Sequence, residues 1–541
     1  MIRNLLVIAL AMMLSGCLVG DLPNSDDFAL GETAPQFSGT YTWPSAVRTD
    51  AFGNITALVD PAGDPAFPAA VIQSVPGRGA EPAVGITSAN NMFVVVGEEV
   101  YRSKDLGKTW EPVHEFVSPN YPTTPDRFQS YDPQLWVDSA TDRIFVNHMH
   151  PRLACVYVAF SDDEGESWTD DTINARPGYA TCGIPVVDHQ KLMTAPYGPD
   201  AASIPEALRE YPNVVYICVN RVVTNGNIRQ MSTWCQVSLD GGRSIAYDNQ
   251  AIPDDGVCPG INGHPAAHPD GTVLLPGGSL NCLRVPVVAV TSDNGVTWTQ
   301  RRYGGGFAVT EIDPDLTFTP DGTGYLVTAG ERFDPAVPDG PREKGVFLFR
   351  STDKFQTWEG PFRVSPTTLT LTSFVGITSG DDGRIAIGYL GTTDLQDDPA
   401  NATSSIAIEG TRWNLYVATS YNADGEAPTF TTQQSNPRED PVQVGCIWQR
   451  GGGSPRNCRN LLDFIDVTHD INGRFAVAFT DGCSARRGCL ADSDSANGQS
   501  LDQEVAVAVM DRGEGLFLER GILPSLGLVP DRPIPHTADQ P

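Results

Sequence analysis

Apolar positions along this chain come in short runs, each closed by a turn-forming cluster, and long stretches with a 3.6-residue period are few. Several runs share a layout. A polar or charged residue opens the run, apolar residues follow, and an x-Asp-Gly or Asn-Gly turn of the kind that joins two hairpin strands ends it. The openings are EPAVGI (81–86), DPQLWV (132–137), CGIPVVDHQ (182–190), GHPAAHPDG (263–271), DPDLTFTPDG (313–322), SFVGIT (373–378) and LDFIDVTHDING (462–473). With 53 Gly and 43 Pro, the pattern predicts an all-β chain of short strands.

A second pattern lies between these runs. SKDLGKTW (103–110), SDDEGESW (161–168), SLDGGRSI (238–245) and TSDNGVTW (291–298) repeat one octet, and STDKFQTW (351–358) is a copy without its glycine. SYNADG (420–425) is a degenerate sixth copy. Intervals of 58, 77, 53 and 60 residues separate the first five, a spacing suited to one supersecondary unit per copy. The octet's chemistry is local. Ser and Asp side chains bond the turn backbone, Gly takes a conformation closed to other residues, and Trp packs beneath. The acidic residues of SDDEGESW are therefore expected to clasp a turn and not to hold calcium.

The octet resembles the Asp-box (BNR) repeat of sialidase-type β-propellers. The residues expected to build it are Ser103, Asp105, Gly107, Trp110, Ser161, Asp163, Gly165, Trp168, Asp240, Gly242, Asp293, Gly295, Trp298, Asp353 and Trp358. From residue 81 to 483 the chain is similar to a bacterial group of sialidase-like Asp-box lipoproteins. SYDPQLWVD (130–138), VVDHQ (186–190), YPNVVYIC (211–218), NGHPAAHPDGTVLLP (262–276) and NLLDFIDVTHDINGRFAVAFTDGC (460–483) carry that likeness. The resemblance implies a sialidase-type propeller over 76–520. Seven four-stranded blades are expected, with six as the alternative count. Residues 18–75 read as a tether and first strand region, and 521–541 as a C-terminal tail.

The inner strands of a propeller all start at one end of its central channel, so residues at those starts converge. Glu81, Asp132 and Asp463 are the candidate catalytic carboxylates, and His189, His264, Asp313 and Asp466 the candidate substrate-binding residues. Such a set would also suit calcium or another divalent metal, though no cofactor is assigned. The resemblance implies an exo-acting glycosidase, exo-α-sialidase-like, working on extracellular glycans. A non-catalytic surface module that binds a glycan or a protein is the alternative. Sialidases clamp the sugar carboxylate with three arginines, the first in an Arg-Ile-Pro motif. This chain has RGAEP (78–82) there, and no motif assigns Arg284, Arg332 or Arg412 to the other places.

The chain opens MIRNLLVIALAMMLSGC, a charged residue, an apolar run too short to span a bilayer, and LSGC. This resembles a lipoprotein signal whose Cys17 is acylated, implying a lipid anchor in the bacterial envelope, at the outer membrane in a Gram-negative host. Ten further cysteines read as disulfides in an exported chain, and the sequence-local pairs are 155–182, 218–235, 258–282, 446–458 and 483–489. Acidic residues outnumber basic ones 66 to 36, a net charge of −30 that disfavours nucleic acid and anionic lipid as partners. Two smaller signals are a metal-pair candidate, His148 with His150, and a calcium-loop-like stretch at 492–498.

Overall fold

The apolar runs form antiparallel sheets standing side by side around a central axis, an all-β propeller. The computed structural model describes residues 46–116, 131–149, 156–169, 186–200, 204–225, 228–253, 261–278, 286–310, 313–337, 340–393, 411–437, 440–444, 447, 461–484, 488–489 and 503–529. The innermost strands are Ala83–Ile86, Tyr131–Val137, Val186–Pro196, Ala266–Ala267, Asp315–Phe318, Leu371–Ser379 and Asp466–His469. Each packs beside the next, and the last packs beside the first.

Second strands such as Met92–Val96 and Ile144–Met149 are buried along their whole length, because a neighbouring sheet covers each face. Phe93, Val95, Leu135, Ile144 and Val146 fill one such seam. Among the described residues six sheets have four or more strands, so the structure shows six four-stranded blades and not the expected seven. The sheet of Tyr131–Val137, Ile144–Met149 and Val156–Ser161 has three among the described residues. The residues that follow Thr169 lie outside the described ones.

Two N-terminal segments join sheets built mainly from later sequence. Ala69–Val75 is the outer strand beside Glu504–Glu514, in the sheet that also holds Asp466–His469 and Phe475–Asp481. The Ala46–Thr49 and Ile55–Val59 hairpin extends the sheet edge at Phe430–Gln434. Beyond residue 520, Ile522–Leu523 pairs with Gly513 and Glu514.

The octets fold alike. In SDDEGESW, Ser161 Oγ donates to Asp163 Oδ1 (2.9 Å) and accepts from Gly165 N (2.9 Å). Asp163 Oδ1 accepts from Ser167 N (2.8 Å), and its Oδ2 accepts from Ser167 Oγ (2.6 Å). The same bonds recur around Asp105, Asp240, Asp293 and Asp353. Where the fifth copy lacks glycine, Phe355 itself takes φ +59° and stays buried. In the sixth, Asn422 replaces the aspartate and bonds Ser420 and Thr429.

Each octet follows the third strand of its sheet, or, in the three-stranded sheet, the last described one. Strand direction alternates, so these turns lie at the face opposite the inner-strand starts. Replacing Asp163 by alanine removes several of these bonds, each worth about 1 kcal/mol net. The expected result is a lower urea midpoint with no change in any activity of the central channel.

Cys218 and Cys235 stand opposite each other on adjacent strands and are disulfide-bonded, as expected. Cys483 is disulfide-bonded too and faces Cys489 across a short ladder. Cys17 and the pairs 155–182, 258–282 and 446–458 lie outside the described residues, as do His150, Arg284 and the 492–498 loop. Among the described residues, no helix is long and apolar enough to cross a membrane.

Candidate functional site

Among the described residues the inner strands of neighbouring blades do not pair, so their backbone donors at the channel need other acceptors. Carboxylates serve several of them. Glu81 Oε2 accepts from Asp132 N (3.0 Å), and Asp132 Oδ2 accepts from His189 N (3.1 Å). Asp315 Oδ2 accepts from Ile377 N (2.8 Å), and Asp466 Oδ2 accepts from Val84 N (2.8 Å). Each of these bonds runs from one blade to the next around the axis.

The backbone is shaped for this. Glu81, Asp132 and His189 all have φ near +50°, and so do Phe374 and Leu462 in two further blades. Three of the five lie where the inner strand slips register against its neighbour. Left-handed backbone on a residue other than glycine costs of order 1–3 kcal/mol, and such strain concentrates where side chains must be aimed.

Glu81, Asp132 and Asp463 each present a carboxylate oxygen, and these atoms lie within 4.8 Å of one another. Three residues far apart in sequence thus share one spot at the start of the inner strands. All three are buried, Asp463 being 8 % exposed and Glu81 2 %. An all-oxygen donor set of this kind can trade protons with a substrate or hold a hard divalent cation.

Beside it lies a second cluster. Asp313 is paired with His189 (Oδ2 to Nε2, 3.0 Å) and with Lys191 (Oδ1 to Nζ, 3.2 Å). His264 Nε2 accepts from the Lys191 ammonium at 2.9 Å and lies 3.9 Å from Asp313. The His189 ring also donates from Nδ1 to the Asn262 carbonyl (3.0 Å). Both its nitrogens face groups that can only accept, which describes an imidazolium. Burial alone would lower the His189 pKa, but the charge and hydrogen bond of Asp313 outweigh it and raise the pKa to about 9. Burial and the Lys191 cation drive His264 the other way, well below its ordinary value, so it is neutral. Burial opposes ionisation of Asp313 as well, yet His189 and Lys191 hold it well below the usual carboxylate range.

Asp466 shares the channel but serves the backbone, and the other candidates are engaged elsewhere. Asp466 holds the Val84 and Val467 N–H groups, and burial pushes its pKa up to about 6. Burial also raises Asp315, with the Asp466 charge adding to the effect. Arg332 pairs with Glu343, and Arg412 is exposed. His148 stacks on Phe116 with ring centroids 4.7 Å apart.

Lys191, Phe464 and Asp315 belong to this channel and were not among the residues chosen from sequence. Lys191 carries no signal of its own, since it follows the polar Asp188, His189 and Gln190 and reads as one more polar position of the strand.

No protein-family profile matches the chain, and no curated protein matches its sequence. Solved structures to which it is similar include a Dyadobacter fermentans protein of unknown function. That match has 11 % identity and a TM-score of 0.39 over 81 % of this chain and 97 % of the other. A second is an α-L-arabinofuranosidase of Fusarium graminearum in complex with arabinobiose (13 %, 0.38, 68 % and 97 %). A third is the endosialidase of phage phi92 (10 %, 0.41, 82 % and 69 %).

Proposed function

We propose that this protein is an exo-acting glycoside hydrolase with a sialidase-like propeller, held at the cell surface through a lipid on Cys17. The convergence of Glu81, Asp132 and Asp463 within 4.8 Å carries the reading. Retaining glycosidases use two carboxyl groups about 5–5.5 Å apart, whereas inverting enzymes space them more widely to admit a water. The close set here supports retention. Asp463, the most exposed of the three, serves as general acid and then base. Asp132, one oxygen of which is fixed by the His189 N–H, attacks the anomeric carbon.

The substrate is an uncharged glycan. Three carboxylates line the spot, and the nearby cations, Lys191 and His189, are both directed at Asp313. A sugar acid would meet repulsion where a sialidase offers arginines.

A second reading has support of its own, because Glu81 and Asp132 already tie blade to blade and are nearly inaccessible. In that reading the propeller binds a surface glycan or protein and breaks no bond. One experiment separates the two. The purified protein is offered a fluorogenic panel of neutral pyranosides, an α-L-arabinofuranoside and a sialoside, with and without chelator. Release from a neutral glycoside, unaffected by chelator and absent in Asp463→Asn, is the expected result. Release from none, together with glycan binding, would establish the second reading.

A further inference from the structure

Lys191 is 1 % exposed, and its ammonium has three neighbours from three other blades: Asp313, His264 and the ring of Phe464. The nitrogen lies 3.7 Å from the centroid of that ring, the geometry of a desolvated cation–π contact. His264 and His189 meet the same ring edge-on, at 5.4 and 6.4 Å between centroids. Phe464 is therefore seated on a charged platform at the channel, and it is fully buried.

Asp463 is the preceding residue. Leu462 before it has φ +59°, so the chain bends at this point, and Asp463 reaches the carboxylate trio while Phe464 drops onto Lys191. Asp463 lies outside the regular strand, which begins at Asp466, so no ladder holds it in register. The next residue along the chain is Phe464, whose ring is held against Lys191.

We infer that Lys191, acting through the ring of Phe464, is the positioning residue for Asp463. The inference rests on the hydrolase reading for its consequence in turnover, but not for its geometry. Without the cation under the ring, Phe464 is no longer tied to the platform and Asp463 loses its fixed approach to Glu81 and Asp132. Catalytic groups displaced by about 1 Å lose on the order of 10²-fold in rate.

The test uses the full chain and four variants: Phe464→Leu, Phe464→Tyr, Lys191→Met and, as a control for stability alone, Asp163→Ala in the distant turn. Phe464→Leu keeps an apolar side chain in place and removes the aromatic face, with a small cavity whose effect on stability the Asp163→Ala control brackets. On the best substrate of the panel, kcat is expected to fall about 10- to 100-fold in Phe464→Leu with KM within about threefold. Phe464→Tyr should restore most of kcat, and Asp163→Ala should lower the unfolding midpoint without lowering kcat. Should Lys191→Met fail to fold, the pair at Phe464 still decides.

A crystal structure of Phe464→Leu gives the second readout, independent of activity. Displacement of the Asp463 carboxylate from the trio is expected within an otherwise unchanged propeller. An Asp463 that stays in place, or a kcat no lower than that of Asp163→Ala, would overturn the inference. Absence of turnover in the wild type would instead defeat the hydrolase reading, and the position of Asp463 in the crystal would still settle the anchoring.

Discussion

Asp463→Asn is expected to reduce glycoside turnover by about 10²–10⁴-fold while leaving the urea midpoint close to that of the wild type. The amide matches the carboxylate in size but cannot give up or take the proton that the leaving group and the water require. This position is the informative one of the three. Glu81 and Asp132 each hold a backbone N–H of the following blade, so their loss mixes chemistry with stability. Single-turnover and steady-state rates, with circular dichroism as the check on folding, measure the effect. A variant that keeps its rate would remove Asp463 from the mechanism and, with it, the case for acid–base work by the trio.

The largest stability effect is expected at Asp313. It is 1 % exposed, and Asp313→Asn leaves the Lys191 ammonium buried without its counter-charge and removes the group that keeps the buried His189 protonated. Breaking a buried ion pair by removing one partner costs about 3–5 kcal/mol. The pH dependence follows from the same contacts. His189 is raised from 6.5 to about 9, so its contribution is fully present below about pH 6.5 and is lost as pH rises through about 9. Asp313 is depressed, so its contribution is present above the ordinary value of 3.8 and is lost only as pH falls through its lower folded value. Urea midpoints across this span should therefore decline on the alkaline side in the wild type. In Asp313→Asn, which has lost the partner that charges His189, that decline should flatten.

Much of this architecture could be read from residue order. The octets announced their turns because every bond in them is local, made within eight residues of sequence. The inner-strand starts announce themselves by a polar residue ahead of an apolar run, which is enough to single out Glu81, Asp132 and Asp463, whose oxygens converge. The parts that were missed depend on neighbours distant in sequence. Lys191 looks like any strand lysine until Asp313, His264 and Phe464 arrive from three other blades. Asp466 reads as one more polar residue of a strand start, and residue order does not show that its oxygens hold the Val84 and Val467 N–H groups. The left-handed residues that aim the site are not glycines, so composition gave no hint of them. The blade count went astray for a related reason, since counting strand starts says nothing of how many strands each sheet completes.

The pairing of Ala69–Val75 with Glu504–Glu514 has a consequence for the order of events during synthesis. Its partners are made more than 400 residues apart, so the ladder has no counterpart until nearly the whole chain has emerged. Until then the early segment offers an unpaired edge to any other nascent strand, the condition that leads to misassembly. The last sheet cannot be completed before both ends of the propeller meet, and contacts this remote fold slowly. Maturation of this protein is therefore expected to end in one late step, the docking of Ala69–Val75 on Glu504–Glu514.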